Sequence, residues 1–184
     1  MRHDIHRAEA IPPVALRIAT VADAELFTLV GRATFLETYA GILGVEDILA
    51  HCAAQHAPEV YAAWLADAAC RCWLAETSHG RVPVGYLVLA PASVPIRDPD
   101  PSDLEVKRLY LLHRFQRSGV GRKLMDQAMQ QARRTAARRV LLGVYSRNHH
   151  ALKFYARLGF ERLGERTFRV GHSDYFDYLL GRAP

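Results

Sequence analysis

Residues 104–136 read LEVKRLYLLHRFQRSGVGRKLMDQAMQQARRTA, and their periodicity changes once, at the glycines. Leu104–Leu112 is rich in β-branched, aromatic and aliphatic residues and reads as a strand. From Gly119 onward the period lengthens to that of a helix. Leu124, Met125, Ala128, Met129 and Ala132 recur at three- and four-residue steps, while Arg122, Lys123, Gln127, Gln130 and Arg134 fall elsewhere on the wheel. An amphipathic helix of about four turns is predicted. The following Arg139–Tyr145, RVLLGVY, reads as a buried strand, so the unit is strand, glycine loop, helix, parallel strand, with a right-handed crossover.

Working outward, residues 1–13 end in Pro12-Pro13, lack periodicity and are expected to form a flexible leader; residues 14–184 are expected to form one domain. Val14 opens a strand, and Thr20 with Asp23 starts a helix carrying Ala24, Phe27, Val30 and Phe35. Gly41 and Gly44 interrupt it, and two helices are predicted near Glu46–His56 and Glu59–Ala68. Cys70–Glu76 and Val82–Ala90 then read as a hairpin across Ser78-His79-Gly80. Pro91–Pro101 reads as an exposed loop. Beyond Tyr145, a short helix over Ala151–Leu158 stops at Gly159, and Phe160–Val170 with Tyr175–Leu180 closes the chain as a second hairpin.

Composition narrows the functional classes. The 184 residues are half hydrophobic and 23% charged, ordinary globular values, and no apolar run approaches the ~20 residues that cross a bilayer. The first ten residues lack a secretory apolar core, so a cytoplasmic location is expected. Cys52, Cys70 and Cys72 include no CxxC pair and suit packed thiols rather than a disulfide framework or zinc site. Charge is divided along the chain: residues 1–106 hold 7 basic and 14 acidic side chains, residues 107–169 hold 16 and 3. Such asymmetry offers one surface to a polyanion and another to a cation, although only three of the 24 basic residues are lysine and some of the arginine excess can be compositional.

A helix N-terminus exposes unpaired amides, and glycine lets a phosphate approach them closely. No GxxxxGK[ST] string occurs, and the third position of a dinucleotide loop is Leu124, so neither a triphosphate loop nor a nicotinamide fingerprint fits. Gln116-Arg117-Ser118-Gly119-Val120-Gly121 instead resembles the Q/R-x-x-G-x-G/A pyrophosphate loop of the GNAT superfamily of N-acetyltransferases. Asn148-His-His-Ala151-Leu-Lys-Phe154-Tyr155-Ala-Arg-Leu-Gly159-Phe160 resembles the NxxAxxFYxxxGF segment of the same family. Two motifs in order, with a helix and a strand between them, make the resemblance specific, most strongly over 104–160.

The resemblance implies an α/β fold with a mixed, mostly antiparallel sheet of about seven strands flanked by helices. It implies acetyl-CoA as co-substrate and no metal. Leu109, Tyr110 and Leu111 would pair with the pantetheine arm, residues Gln116, Arg117, Ser118, Gly119, Val120, Gly121 and Arg122 would wrap the pyrophosphate, and Asn148 would touch the cofactor. By resemblance Tyr155 is the proton donor to the leaving thiolate; its other reading is an aromatic core residue. Glu105 occupies a frequent position for the base, or pairs with Lys107 as a plain ion pair, which a bulge of the strand would separate. Thr34-Phe-Leu-Glu37-Thr-Tyr39-Ala-Gly41 resembles a stretch of a bacterial branch that includes polyamine N-acetyltransferases, which puts Phe35, Glu37 and Tyr39 at the acceptor site; helix core is the alternative for both aromatics. The expected reaction is direct acetyl transfer to a primary amine, preferably a small cationic molecule. Protein N-termini or lysines, or a non-catalytic acyl-CoA sensor, are the alternatives. Adjacent His149 and His150 cannot both reach one metal ion from a regular helix. Arginines spread over loop, helix and strand suit a cofactor cleft better than a nucleic-acid groove. No membrane partner is expected, and a homodimer is compatible with the sequence.

Overall fold

The computed structural model describes residues 11–170 and 173–184. Most of the leader expected over 1–13 lies outside the described residues. Strands β1 (Val14–Ile18), β2 (Arg71–Thr77), β3 (Pro83–Pro91), β4 (Leu104–Leu111), β5 (Val140–Tyr145), β6 (Glu161–Val170) and β7 (Ser173–Arg182) form one sheet in the order β1-β2-β3-β4-β5-β7-β6. Only β4 and β5 run parallel; the other neighbours are antiparallel. The last hairpin folds back so that β7 lies against β5 and leaves β6 at the edge.

Helices α1 (Ala24–Tyr39) and α3 (Pro58–Ala66) cover one face, joined by α2 (Val45–Gln55). Phe27 and Val30 of α1 and Tyr61 of α3 are buried against Leu74, Tyr86 and Val88 of the sheet. Pro58 sits at the first turn of α3, where its missing N–H costs nothing. Helices α4 (Val120–Arg134) and α5 (His149–Arg157) cover the opposite face. All five α4 residues assigned to one face by spacing are buried there, with Leu87, Leu89, Val106, Val140 and Leu142 beneath them. Burial of each large side chain contributes roughly 1.5–3 kcal/mol. This cluster is the main core.

Two ion-pair groups pin strands to their neighbours. Arg17 of β1 holds Asp23 at 2.6 Å and Glu76 of β2 at 2.8 Å, tying the first strand to the start of α1. Arg139 holds the buried Asp103 at 2.6 Å, and the Leu104 amide donates to the Arg139 carbonyl, so the starts of β4 and β5 are clamped together. The segment Pro91–Pro101 differs from its expected exposure: Val94 is buried on Leu141 and Leu179, because an apolar residue in this loop finds a patch of β5 and β7 against which no helix residue packs.

Candidate active site

The clamp at Asp103 marks the closed end of a wedge. β4 and β5 pair only at Leu104↔Val140 and Glu105↔Leu141. Beyond that point β4 keeps its β3 partner through Leu111, while β5 keeps β7 through Tyr145. Among the described residues, the β5-facing backbone of Leu109, Tyr110 and Leu111 has no strand neighbour, apart from the Leu111 carbonyl, which accepts from Gln116 Nε2 at 3.3 Å. An extended chain with amide groups fits such an edge, because only it satisfies the exposed backbone groups in sequence.

The open end of the wedge meets the glycine loop. Gly119 caps α4 with φ at +86°, in the left-handed region that a Cβ disfavours, and Arg117 also has positive φ at +61°. That turn starts the helix so that the amides of Val120, Gly121 and Arg122 lack intrahelical acceptors and carry the positive end of its dipole. At Gly121 a Cβ would stand 3.3 Å from Leu111 and 3.7 Å from Phe154, so its absence lets α4 close on β4 and α5. Ser118 donates to the Phe115 carbonyl at 2.6 Å and fixes the loop from within. Arg117 Nε donates to His150 Nε2 at 3.2 Å, and Arg122 is largely exposed beside Asp126. Free backbone amides and the positive end of a helix dipole at one glycine turn are the features that can hold a diphosphate.

Asn148 caps α5, its Oδ1 accepting from the Ala151 amide at 3.0 Å, which leaves its NH₂ group for other partners. Tyr155 is 8% exposed and packs edgewise on Phe154 and Phe160 at centroid distances of 5.2 and 5.7 Å. Burial, and to a lesser degree Tyr110, raise its hydroxyl pKa above the ordinary tyrosine value. Tyr155 therefore stays protonated at neutral pH. The ring of Tyr155 is thus part of the core.

On the other face of β4 the structure departs from a regular strand. Leu89 pairs with Val106 and Val88 with Arg108, so Lys107 is an extra residue and β4 is bulged there. Without the bulge, Glu105 would share a face with Leu109 and Leu111. With it, Val106, Leu109 and Leu111 pack into the main core, while Arg108 and Tyr110 turn with Glu105 toward α1 and α3. Glu105 is 5% exposed; its Oε2 accepts from Lys107 Nζ at 2.5 Å and from the Ser93 amide at 2.9 Å. Bulge and ion pair thus exist together, because the flexible lysine stem reaches back across the distortion.

The three residues from the Thr34–Gly41 string separate. Phe35 is buried, stacked on His51 at 4.1 Å and tilted against Tyr39 at 4.5 Å. Tyr39 lies beside Tyr110 and Asp177, which together with burial raise its pKa. Glu37 accepts from the His113 amide at 2.8 Å, anchoring α1 to the turn that precedes the glycine loop.

Sequence reading missed the polar group behind these residues. Tyr61 Oη stands 2.7 Å from His56 Nδ1, 3.0 Å from Tyr86 Oη and 2.8 Å from Arg108 Nη1. Burial and Arg108 push the pKa of His56 down to about 3 and that of His51 down to about 4, so both imidazoles are neutral at pH 7. On β7, Asp177 is buried next to Arg166 at 3.1 Å, and burial raises its pKa. These groups come from six elements or their ends, α2, α3, β3, β4, β6 and β7, and outside the His51–Tyr61 stretch no short spacing connects them. Among the described residues there is no group of three or more His, Cys, Asp or Glu placed to hold a metal ion. No described helix is long and apolar enough to cross a membrane.

The comparisons with known proteins agree with this geometry. The family model described as "Acetyltransferase (GNAT) family" matches residues 36–160. An uncharacterized N-acetyltransferase of Mycobacterium tuberculosis (strain H37Rv) is 33% identical over 162 residues, 88% of this chain and 98% of the relative. An uncharacterized N-acetyltransferase of Lactobacillus delbrueckii subsp. lactis is 35% identical over 99 residues, 54% of this chain; the matched part spans 57% of that relative. The PaiA N-acetyltransferase of Thermoplasma acidophilum, solved in complex with coenzyme A, shares the fold with a TM-score of 0.72 at 18% identity, covering 94% of this chain and 99% of that one. The chain belongs to the GNAT family of acetyltransferases. The mixed, mostly antiparallel seven-stranded sheet and the glycine loop expected from that resemblance are both present.

Proposed function

We propose that this protein transfers the acetyl group of acetyl-CoA directly to the nitrogen of a small primary amine. The observation that carries the reading is the wedge: β4 leaves β5 after two residue pairs, and its free edge runs into the left-handed glycine at the start of α4. In this reading the amides of Arg117 to Arg122 hold the diphosphate, the edge of Leu109 to Leu111 pairs with the pantetheine amides, and the Asn148 NH₂ group adds a donor beside the loop. When bound, acetyl-CoA supplies an acyl carbon activated by a sulfur leaving group.

The chain's own residues then handle two protons. A primary alkyl ammonium must lose a proton before its nitrogen can attack, and Glu105, on the acceptor face at the apex of the wedge, accepts it directly or through water. Lys107 and the Ser93 amide orient that carboxylate. Tyr155, buried and protonated, supplies a proton to the departing sulfur, whose thiol pKa is near ~8.5. Phe35 and Tyr39 form the acceptor wall opposite β4, and Glu37 positions the turn between acceptor and cofactor sites. A polyamine acceptor rests on the Thr34–Gly41 resemblance and on the acidic N-terminal part of the chain.

The test is titration with acetyl-CoA followed by free-thiol release with a panel of diamines, polyamines, amino acids and peptides. Saturable binding with turnover of one or more small amines is expected. Binding without turnover of any amine overturns the enzymatic reading in favour of an acyl-CoA sensor. Turnover confined to peptides moves the acceptor to protein N-termini or lysines.

A further inference from the structure

Three guanidiniums packed into the protein hold carboxylates: Arg17 with Asp23 and Glu76, Arg139 with Asp103, and Arg166 with Asp177. Arg108 differs. Its Nη1 donates to Tyr61 Oη at 2.8 Å and lies 3.3 Å from His56 Nδ1, and its guanidinium carbon stands 5.2 and 4.8 Å from the ring centroids of Tyr61 and Trp64. Among the described residues it forms no ion pair. A charge withdrawn from water is costly without a counter-charge, and two aromatic faces and a hydroxyl offset only part of that cost.

The hydrogen-bonded groups around Arg108 are themselves neutral. Tyr86 is held protonated by burial, and His51 and His56 are held neutral by burial and by Arg108 itself. These contacts occupy one nitrogen of the guanidinium. Its Nε and Nη2 hydrogens remain, and that edge matches the two oxygens of a carboxylate. Arg108 also sits one residue beyond the bulge, three beyond the last β4–β5 pair, and on the face shared with Glu105 and Tyr110.

We propose that the acceptor is a primary amine that also carries a carboxylate, and that Arg108 binds that carboxylate. The inference rests on the acetyl-transfer reading and narrows its substrate class. A polyamine would add positive charge beside Arg108 with no anion to balance it, whereas an amino acid brings the missing anion with its amine.

The experiment compares wild-type enzyme on matched acceptors: an ω-amino acid against its carboxamide, and lysine against the diamine that lacks its carboxylate, each at matched free-amine concentration. The carboxylate-bearing member is expected to show about tenfold or greater higher kcat/KM, the range of one charge-assisted contact. Arg108→Gln is expected to reduce that preference to about threefold or less, chiefly through KM, and Arg108→Lys to retain part of it. Calorimetry with the N-acetylated amino acid and its carboxamide gives the same contrast without turnover. Equal wild-type turnover of both members, or a preference that survives Arg108→Gln, overturns the proposal and leaves Arg108 as a clamp between α3 and β4. If Arg108→Gln fails to fold, the wild-type pairs and Arg108→Lys decide. Acetyl-CoA binding without turnover of any amine overturns the acetyl-transfer reading itself, an outcome distinct from turnover without preference.

Discussion

The two faces of β4 carry opposite kinds of groups. Toward α4 and α5, Val106, Leu109 and Leu111 enter a dry core, and the features suited to a cofactor are backbone ones: a free strand edge, a left-handed glycine and a helix start. Toward α1 and α3, Glu105, Arg108 and Tyr110 join histidines, tyrosines and an ion pair. Backbone recognition depends on shape and tolerates side-chain change, so it suits a cofactor that never varies. Side-chain recognition depends on which charges are paired, so in the proposed function this side sets the choice of acceptor.

The comparison can be broken most forcefully through the core beneath α4. Leu124 is fully buried there, and Leu124→Ala is expected to cost about 2–5 kcal/mol in denaturant unfolding, with the cofactor face loosening first. A loss under 1 kcal/mol would mean that α4 is not held by this face. Next comes the chemistry carried by α5: Tyr155→Phe should lower kcat about 10²-fold with acetyl-CoA affinity retained, and a change within about twofold would leave Tyr155 as core alone.

Smaller effects sharpen the contrast between backbone and side-chain recognition. At Gly119 a side chain would meet open space but must adopt φ of +86°, so Gly119→Val is expected to weaken acetyl-CoA about tenfold through the turn alone, read by calorimetry. Unchanged affinity would remove the loop from the cofactor site. On the acceptor face, His56 is neutral with a pKa near about 3, against an unfolded value near ~6.5. Between those values the unfolded chain binds a proton that the folded chain does not, so stability rises with pH in this window and falls on acidification from pH 7. His56→Gln is expected to flatten the fall between pH 7 and pH 5 by on the order of 1 kcal/mol in urea titrations. An identical slope in the variant would place the acid sensitivity elsewhere, with His51 as the next group, since burial and Arg108 lower its pKa to about 4 and the unfolded chain alone binds that proton between about 4 and ~6.5.

Much of the cofactor side was legible from residue order. The α4 stripe, the Gly119 turn and the Gly159 stop depend on near neighbours, and each lies where spacing placed it, with α5 starting two residues earlier, at His149, because Asn148 caps it. The acceptor side was legible only in part. Phe35 and Tyr39 do meet beside the β4 tyrosine, but Glu37 turned out to hold a backbone amide 76 positions away, and Arg108 passed unnoticed within a strand.

By itself the amino-acid order determined the run of helices and strands, the glycine loop and the charge division, because helical period, caps and turns are decided by side chains a few residues apart. Tertiary structure alone decided the bulge at Lys107, the splitting of β4 from β5 and the lack of a carboxylate at Arg108. An inserted residue reverses strand parity only when a partner strand sets the register, and whether a charge is paired depends on elements brought together from distant parts of the chain.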